Sequence, residues 1–434
     1  VSDLPISENT RLPEGVKDFL PGGARKIEYL QEVLAGVYRN WGYKPIITPT
    51  LEYLQVIERG LGESLREKTF RLDDRQSGKL VAFSPDITPQ VARIVATRMR
   101  DFPLPLRLCY SGRVLRYTER KSGKEREIFQ SGAELMGLRS AEADAEMVAM
   151  AVEGFRALGV EEFSVDVGQV EFFHGVMGQL DLPAAQARRI QDAIARKDRP
   201  ELEALLSDLP SDDPRKKEVL ALPRLYGGRE VLDRAAAQVT NPESCRALEN
   251  LRQVLALLDR YGVSDHVTFD LGEIRGLDYH TGLIFQGYLK GIGREVCSGG
   301  RYDNLVGRYG YSVPATGFTF NILGLLSSLA EELEGKVDAP CAILVCEEKM
   351  GQGSAFDLVR ALRSRGYSAA LDIAPRELSE TLTCARLQDF SMVLVIDEKR
   401  ETVRILRLEE NTEETASLRD VFAPEFKLEP SRRD

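Results

Sequence analysis

CYSGRVLRYTERKSGKEREIFQSGAELMG, residues 109–137, decides the fold. LPLRLCYSGRVLRYT and REIFQSGAELMG have strand character and flank the polar stretch ERKSGKE, so the segment reads as two strands joined by a hairpin or loop. Immediately downstream, SAEADAEMVAMAVEGFRALGV predicts a helix with Ser140 as candidate cap and Gly159 near its end, and FSVDVG predicts a further strand. Upstream, KTFRLDD and GKLVAFSPD joined by RQSG predict a second hairpin. TPQVARIVATRMR then opens a helix with Thr88 as possible N-cap and Pro89 at its first position. From Ala24 to about Trp41, Ile27, Leu30, Val33, Leu34, Val37 and Tyr38 recur at helical spacing, with Gly42 where the helix stops. Strands of this type with helices packed against them predict an α+β domain built on an antiparallel sheet.

Working outward, composition shifts near residue 180. To about 262 the chain is rich in Ala, Leu, Arg and acids with helical periodicity, which predicts a helical insertion. Strand-rich sequence resumes in HVTFDLGEIRGLDYHTGLIFQGYLKGIGREVCSGGRYDNLV, and NILGLLSSLAEELEGK is read as a final helix. The sheet is therefore expected to be interrupted in sequence and continuous in space. The expected divisions are 1–179 for the first part of the main domain, 180–262 for the insertion, 263–337 for the second part and 338–428 for a C-terminal αβ domain. The 434 residues are ample for more than one domain.

Composition excludes several classes. With 43% apolar and 29% charged residues the chain is globular rather than disordered, and no apolar run is long enough to span a bilayer. A formal charge of −10 argues against a surface adapted throughout to a nucleic-acid backbone. The N-terminal residues lack a basic leader followed by an apolar run, and the scattered cysteines at 109, 245, 297, 341, 346 and 384 suit a reducing compartment, so a cytoplasmic location is expected. Three histidines and no CxxC pair give no basis for a metal site. GxGxxG, the Walker A pattern, HExxH and GxSxG are all missing.

The densest basic stretch is 113–126, with six basic side chains against two acids: Arg113, Arg116, Arg120, Lys121, Lys124 and Arg126 against Glu119 and Glu125. It reads as an anion or partner contact, because guanidinium groups match phosphate oxygens bidentately, or as a solvated hairpin tip. GLDYHTG at 276–282 and CSGGRYDNL at 297–305 suit close backbone turns near a ligand or within a sheet. Glu134, Arg275, Asp278 and Tyr279 would bind an amine, a carboxylate and a hydroxyl if the fold gathers them. His280 reads as a structural or surface residue with the alternative of donating to a ligand, and His174 as a packing residue.

At these residues the chain resembles histidyl-tRNA synthetase and, more closely, the family of its non-catalytic relatives, the regulatory subunits of ATP phosphoribosyltransferase. The motifs are LPEGVKDFLP at 12–21, SPDITPQVARIVA at 84–96, the motif-two-like stretch 109–137, LGEIRGLDYHTGLIF at 271–285, GGRYDNLVGRYG at 299–310 and PATGFTF at 314–320. The resemblance implies a class-II aminoacyl-tRNA synthetase-like antiparallel sheet with flanking helices, a helical insertion and a C-terminal αβ anticodon-binding-like domain. It implies a histidine pocket made by Asp86, Thr88, Gln130, Glu134, Arg275 and Tyr279. Arg116 keeps the motif-two arginine position, but Thr118 and Glu119 depart from the synthetase pattern, and Leu323 and Gly324 stand where motif three has Glu and Arg. Adenylate formation needs fixed positive charge against the ATP phosphates, so the resemblance favours a regulatory subunit with no catalytic residues, cofactor or metal over a working synthetase. By the same resemblance its partners would be the short catalytic subunit of ATP phosphoribosyltransferase, a second copy within a hetero-oligomer, and histidine as regulatory ligand, but not tRNA or a membrane.

Overall fold

In the computed structural model, residues 11–117, 125–180, 182–272, 279–330, 333, 337, 342–348 and 353–428 are described. The chain divides into two compact units, Val1–Ala330 and Glu331–Asp434. Among the described residues no helix is long and apolar enough to cross a membrane.

The first unit is organised on the segment that opened the sequence analysis. Leu106–Leu115 and Glu127–Met136 pair antiparallel with Leu106 opposite Met136 and Leu115 opposite Glu127. They sit in a nine-stranded sheet whose spatial order is Lys44–Pro45, Leu106–Leu115, Glu127–Met136, Ala315–Asn321, Glu295–Arg301, Leu283–Leu289, Phe163–Gln169, Val267–Asp270 and Tyr226–Gly227. The central pairings are antiparallel, while Lys44–Pro45 joins Leu106–Leu115 and Val267–Asp270 joins Phe163–Gln169 in parallel, and Tyr226–Gly227 closes the far edge antiparallel to Val267–Asp270. Glu127–Met136 is buried along nearly its whole length instead of alternating, because both faces of the sheet are covered there.

Helices Pro21–Asn40, Ala141–Ala157 and Ile322–Ser328 pack on one face. Tyr38 and Phe155 there meet Phe318 and Phe320 edge-on at ring separations of 5.0–5.9 Å, and the Tyr38 hydroxyl donates to the Ser131 carbonyl at 3.1 Å. The other face carries Leu106, Leu108, Tyr110 and Val114 against helix Thr88–Arg98 and Tyr302, Leu305, Val306 and Tyr309. Thr88 is not the cap of its helix: Ile87 holds that position, and the Thr88 hydroxyl is drawn to a buried carboxyl instead. Ser140 does stand at the N-cap of Ala141–Ala157, without a side-chain cap bond, and Gly159 follows that helix with φ +75°. The final helix is shorter than its sequence suggests, Ile322–Ser328, with Asn321 capping it by accepting from the Gly324 N–H.

Helices Ala184–Ala195, Arg199–Leu205, Pro214–Ala221, Glu230–Ala236 and Pro242–Tyr261 make up the insertion. Asp198, Asp213 and Asn241 cap three of them through side-chain oxygens, each with a proline at the first or second helical position. The last packs against Ala141–Ala157 and Val170–Gly178. His174 lies on Val170–Gly178 but is exposed, correcting its reading as a packing residue: Phe172, Phe173 and Val176 take the buried stripe. A small sheet pairs the expected hairpin, Arg71–Asp73 with Leu80–Phe83, and adds Leu51–Tyr53.

The second unit has a five-stranded sheet in the order Ser368–Leu371, Ala342–Glu347, Met392–Ile396, Thr402–Arg407 and Thr412–Ser417, parallel over the first three and antiparallel thereafter. Helix Ser354–Ser364 covers one face with Leu358 and Leu362, and Leu378–Leu387 covers the other with Ala385. The edge strand Thr412–Ser417 is largely exposed; its Glu413 and Glu414 pair with Arg404 and Arg407 at 3.4 and 2.9 Å.

Candidate functional site

The covered end of the central strands encloses a cavity of about 260 Å³. Alternation along the strands builds it. Gln130 and Glu134, Thr319 and Gly317, Ser298 and Gly300, and Gln286 and Ile284 lie on the same sheet face in successive strands, as the pairings Thr319–Ser298, Ser298–Gln286 and Gly317–Glu134 require. Asp86 and Thr88 enter from the start of helix Thr88–Arg98, and Tyr279, His280 and Tyr302 also line the cavity.

Glu134 lies beneath this cavity with 0% exposure. Its Oε1 accepts from the Thr88 hydroxyl at 2.8 Å and the Tyr110 hydroxyl at 3.2 Å, and Oε2 accepts from the Tyr302 hydroxyl. Burial pushes the Glu134 carboxyl up to about 8, against the opposing pull of the hydroxyls of Tyr302 and Thr88. The carboxyl fits because its register partner is Gly317, where any Cβ would overlap Oε2. Gln130 is held at both ends: its amide donates to Asp86 Oδ1 at 3.0 Å and its oxygen accepts from the Ile87 N–H at 3.1 Å. Asp86 and several hydroxyls thus face a concave space, with the Glu134 carboxyl beneath it, which suits a ligand carrying an ammonium group and further N–H donors.

Of the sequence-derived pocket residues, Asp86, Thr88, Gln130 and Tyr279 line this cavity and Glu134 underlies it; Arg275 falls outside the described residues. Tyr302, Tyr110, Ser298, Gln286 and Glu295 belong to the same surroundings without being sequence-derived site residues, and His280, for which the sequence offers a structural reading with a ligand-donor alternative, lines the cavity too. Tyr302 sits within the quoted CSGGRYDNL stretch, which was a usable signal; Tyr110 is distinguished from its strand neighbours only by what it meets across the sheet.

The basic stretch separates into different roles. Arg116 lines the cavity, and its Nε donates to the Pro85 carbonyl at 2.7 Å. Arg113 lies over the Phe129 ring at 4.4 Å and pairs with Glu127 at 3.4 Å, on the helix-covered side of the strand. Arg126 lies over the Tyr117 ring at 5.9 Å. Arg120 and Lys121 lie outside the described residues.

A second, smaller cavity of about 90 Å³ shares Arg116, Gln130, Glu295, Ser298 and Thr319 with the first and extends to Cys297, Phe320 and Asn321. Leu323 and Gly324 follow Asn321 at the start of the helix. Leu323 is 4% exposed, and a Cβ at Gly324 would meet Val296 Cγ1 at 3.3 Å. Arg301, at the far end of the glycine-bearing strand, is a buried structural cation: it pairs with Asp144 at 2.9 Å and Asp303 at 3.0 Å and donates to the carbonyls of Leu138 and Ser140. Among the described residues no group of three or more His, Cys, Asp and Glu side chains is placed to hold a metal ion.

Comparison with known proteins agrees with this architecture. The family model for histidyl-tRNA synthetase matches residues 15–325. The ATP phosphoribosyltransferase regulatory subunit of Syntrophotalea carbinolica is 59% identical over 417 residues, covering 96% of this chain and 97% of that protein. The regulatory subunit of Geobacter sulfurreducens is 50% identical over 421 residues, covering 96% of each. Among solved structures, an ATP phosphoribosyltransferase regulatory subunit/histidyl-tRNA synthetase from Bacillus halodurans superposes with a TM-score of 0.77 at 28% identity, covering 89% of this chain and 98% of that one. A histidyl-tRNA synthetase from a Nostoc species shares the fold, with a TM-score of 0.79 at 21% identity over 95% and 98% of the two chains. Near-complete coverage at this identity, on a class-II synthetase-like sheet with its helical insertion and C-terminal domain, places the chain in the histidyl-tRNA synthetase-like family of ATP phosphoribosyltransferase regulatory subunits.

Proposed function

We propose that the chain serves histidine biosynthesis as the non-catalytic regulatory subunit of ATP phosphoribosyltransferase. In this reading it assembles in the cytoplasm, as a dimer within a hetero-oligomer, with the short catalytic subunit that condenses ATP with phosphoribosyl pyrophosphate, and its cavity holds histidine as feedback ligand. Asp86, Thr88 and Gln130 would hold the ammonium end of the amino acid, Glu134 and Tyr279 would face its side chain, and Arg275 would meet its carboxylate.

The observation that carries the reading is the pairing of an intact polar cavity with a buried leucine and a close-packed glycine at 323 and 324. The neighbouring space is about 90 Å³ against about 260 Å³ for the first, and Glu295 on its wall opposes a polyphosphate. Without a cation at 324 the charge that shifts in adenylate formation has lost one of its stabilisers.

The test is reconstitution. Adding the full chain to the short catalytic subunit should raise formation of phosphoribosyl-ATP, and histidine should suppress it; no gain and no histidine sensitivity would reject the role. Arg116 and the C-terminal αβ unit favour a second reading, a working histidyl-tRNA synthetase. Histidine-dependent pyrophosphate exchange and tRNA charging by the purified chain would establish that alternative instead.

A further inference from the structure

We infer that Lys197, on the helical insertion, is a positioning residue for the ligand cavity: through Asp270 it fixes where the chain leaves the sheet for the stretch that carries Arg275 and returns at Tyr279. The inference rests on the histidine reading of the cavity and adds the insertion to it as a determinant of affinity.

Residues 270–272 lead out of the strand Val267–Asp270, and groups of the insertion hold each of them. Tyr226 is the register partner of Asp270, and the Leu225 carbonyl accepts from the Leu271 N–H at 2.9 Å. The Leu222 carbonyl lies so close to Gly272 that a Cβ there would come within 2.9 Å of it. Asp270 turns the backbone on itself, its Oδ1 accepting from the Gly272 N–H at 3.0 Å. Its other oxygen, Oδ2, accepts from Lys197 Nζ at 3.3 Å. The same ammonium stands 4.0 Å from the centre of the Tyr226 ring, and Arg234 donates to the Tyr226 carbonyl at 2.8 Å. Lys197 therefore closes a triangle with Tyr226 and Asp270, and orients the carboxylate that shapes the turn.

The backbone of Lys197 makes its side chain informative. Lys197 follows helix Ala184–Ala195, its N–H donating to the Ile194 carbonyl at 2.9 Å, with a φ of +54°. This is the left-handed conformation in which helices usually end on glycine. A side chain kept there is accounted for by what it touches.

The return is anchored to the sheet instead. The Thr281 N–H donates to the Arg301 carbonyl at 2.8 Å, the Thr281 hydroxyl accepts from the Asp303 N–H at 2.9 Å, and the Gly282 carbonyl accepts from the Val170 N–H at 2.9 Å. Arg275 stands three residues after Gly272 in sequence. Three residues of chain reach at most ~11 Å, so a shift at Gly272 passes to position 275 with little chain to absorb it.

The experiment is calorimetric titration of the full chain and three variants with L-histidine, with thermal melting alongside. The Lys197 side chain is half-exposed, which lets substitutions there fold. Lys197→Met keeps the stem, loses the charge and should weaken histidine binding by about fivefold. Lys197→Arg restores a cation for Asp270 and Tyr226 and should stay within about twofold of the wild-type chain. Lys197→Gly separates positioning from stability: glycine relieves the left-handed backbone, so the melting temperature should hold or rise while affinity falls by about fivefold or more. Equal losses in the Met and Arg variants, or losses that follow the melting temperature, would make Lys197 a merely structural residue and overturn the inference. Unchanged affinity in Lys197→Met and Lys197→Gly would overturn it and leave the histidine reading standing. A wild-type chain that binds no histidine at millimolar concentration would overturn the histidine reading, and this inference with it.

Discussion

The two neighbouring cavities share Arg116, Gln130, Glu295, Ser298 and Thr319, yet they are finished differently. The larger is backed by a carboxyl with three hydroxyl partners and by glycines that leave room for it. The smaller ends at a helix start where hydrophobic and glycine residues are packed closely against Val296. Buried polar groups are costly unless every partner is present, so a cluster as complete as that around Glu134 is a specified arrangement rather than a residue of packing. Leucine and glycine at 323 and 324 need no such partners. The difference teaches that two adjoining cavities can be finished independently, one around a buried carboxyl and the other with apolar and glycine residues, while sharing a wall.

The comparison breaks most visibly at Glu134. Glu134→Ala removes the common acceptor of Thr88, Tyr110 and Tyr302, and histidine binding should weaken by ~100-fold or more in calorimetry, with stability reduced by about 3 kcal/mol in denaturant unfolding. An unchanged affinity would detach the polar cluster from ligand recognition. Leu323→Glu buries a carboxylate without a partner and should cost about 3 kcal/mol of stability, again read from denaturant unfolding. Gly324→Arg requires Val296 to give and should cost roughly 1–2 kcal/mol, while histidine affinity in calorimetry stays within about twofold. A large loss of affinity there would mean that the two halves are coupled.

A fourth test uses protonation. Burial raises Glu134 from 4.5 to about 8, so the native state keeps a proton that the unfolded chain releases across that interval. Stability from this group is therefore fully present below pH 4.5 and is lost as pH rises through about 8. Denaturant midpoints of the wild-type chain should fall relative to those of Glu134→Gln over that range, and parallel profiles would contradict the buried, proton-holding state. The smallest effect is expected at Arg113, whose pair with Glu127 is exposed on the arginine side: Arg113→Ala should change stability by at most about 1 kcal/mol and leave histidine affinity in calorimetry unchanged.

Much of the architecture was legible where local pattern and tertiary role coincide. The strands Leu106–Leu115 and Glu127–Met136, the long helix ending before Gly42 and the αβ order of the second unit all follow from periodicity and turn residues. Thr88 misled because hydroxyls that cap helices also serve buried carboxyls, and only the fold decides which partner is nearer. The position of Glu134 opposite Gly317 joins residues far apart in sequence, and no local spacing encodes it. His280 looked like an ordinary histidine because the feature that admits it to the cavity is a missing side chain on another strand, at Gly300. Thr412–Ser417 has no apolar alternation and owes its strand form to its pairing with Thr402–Arg407.

That edge strand has a consequence for life at high concentration. An open strand is a template for adding another, and a subunit with an exposed sheet edge risks growing into a ribbon of like copies. Glu413 and Glu414, tied to Arg404 and Arg407 on the neighbouring strand, put paired charge along the margin where an incoming backbone would align. A second copy arriving in register would set its own glutamates against these, which disfavours adding a like strand at this margin.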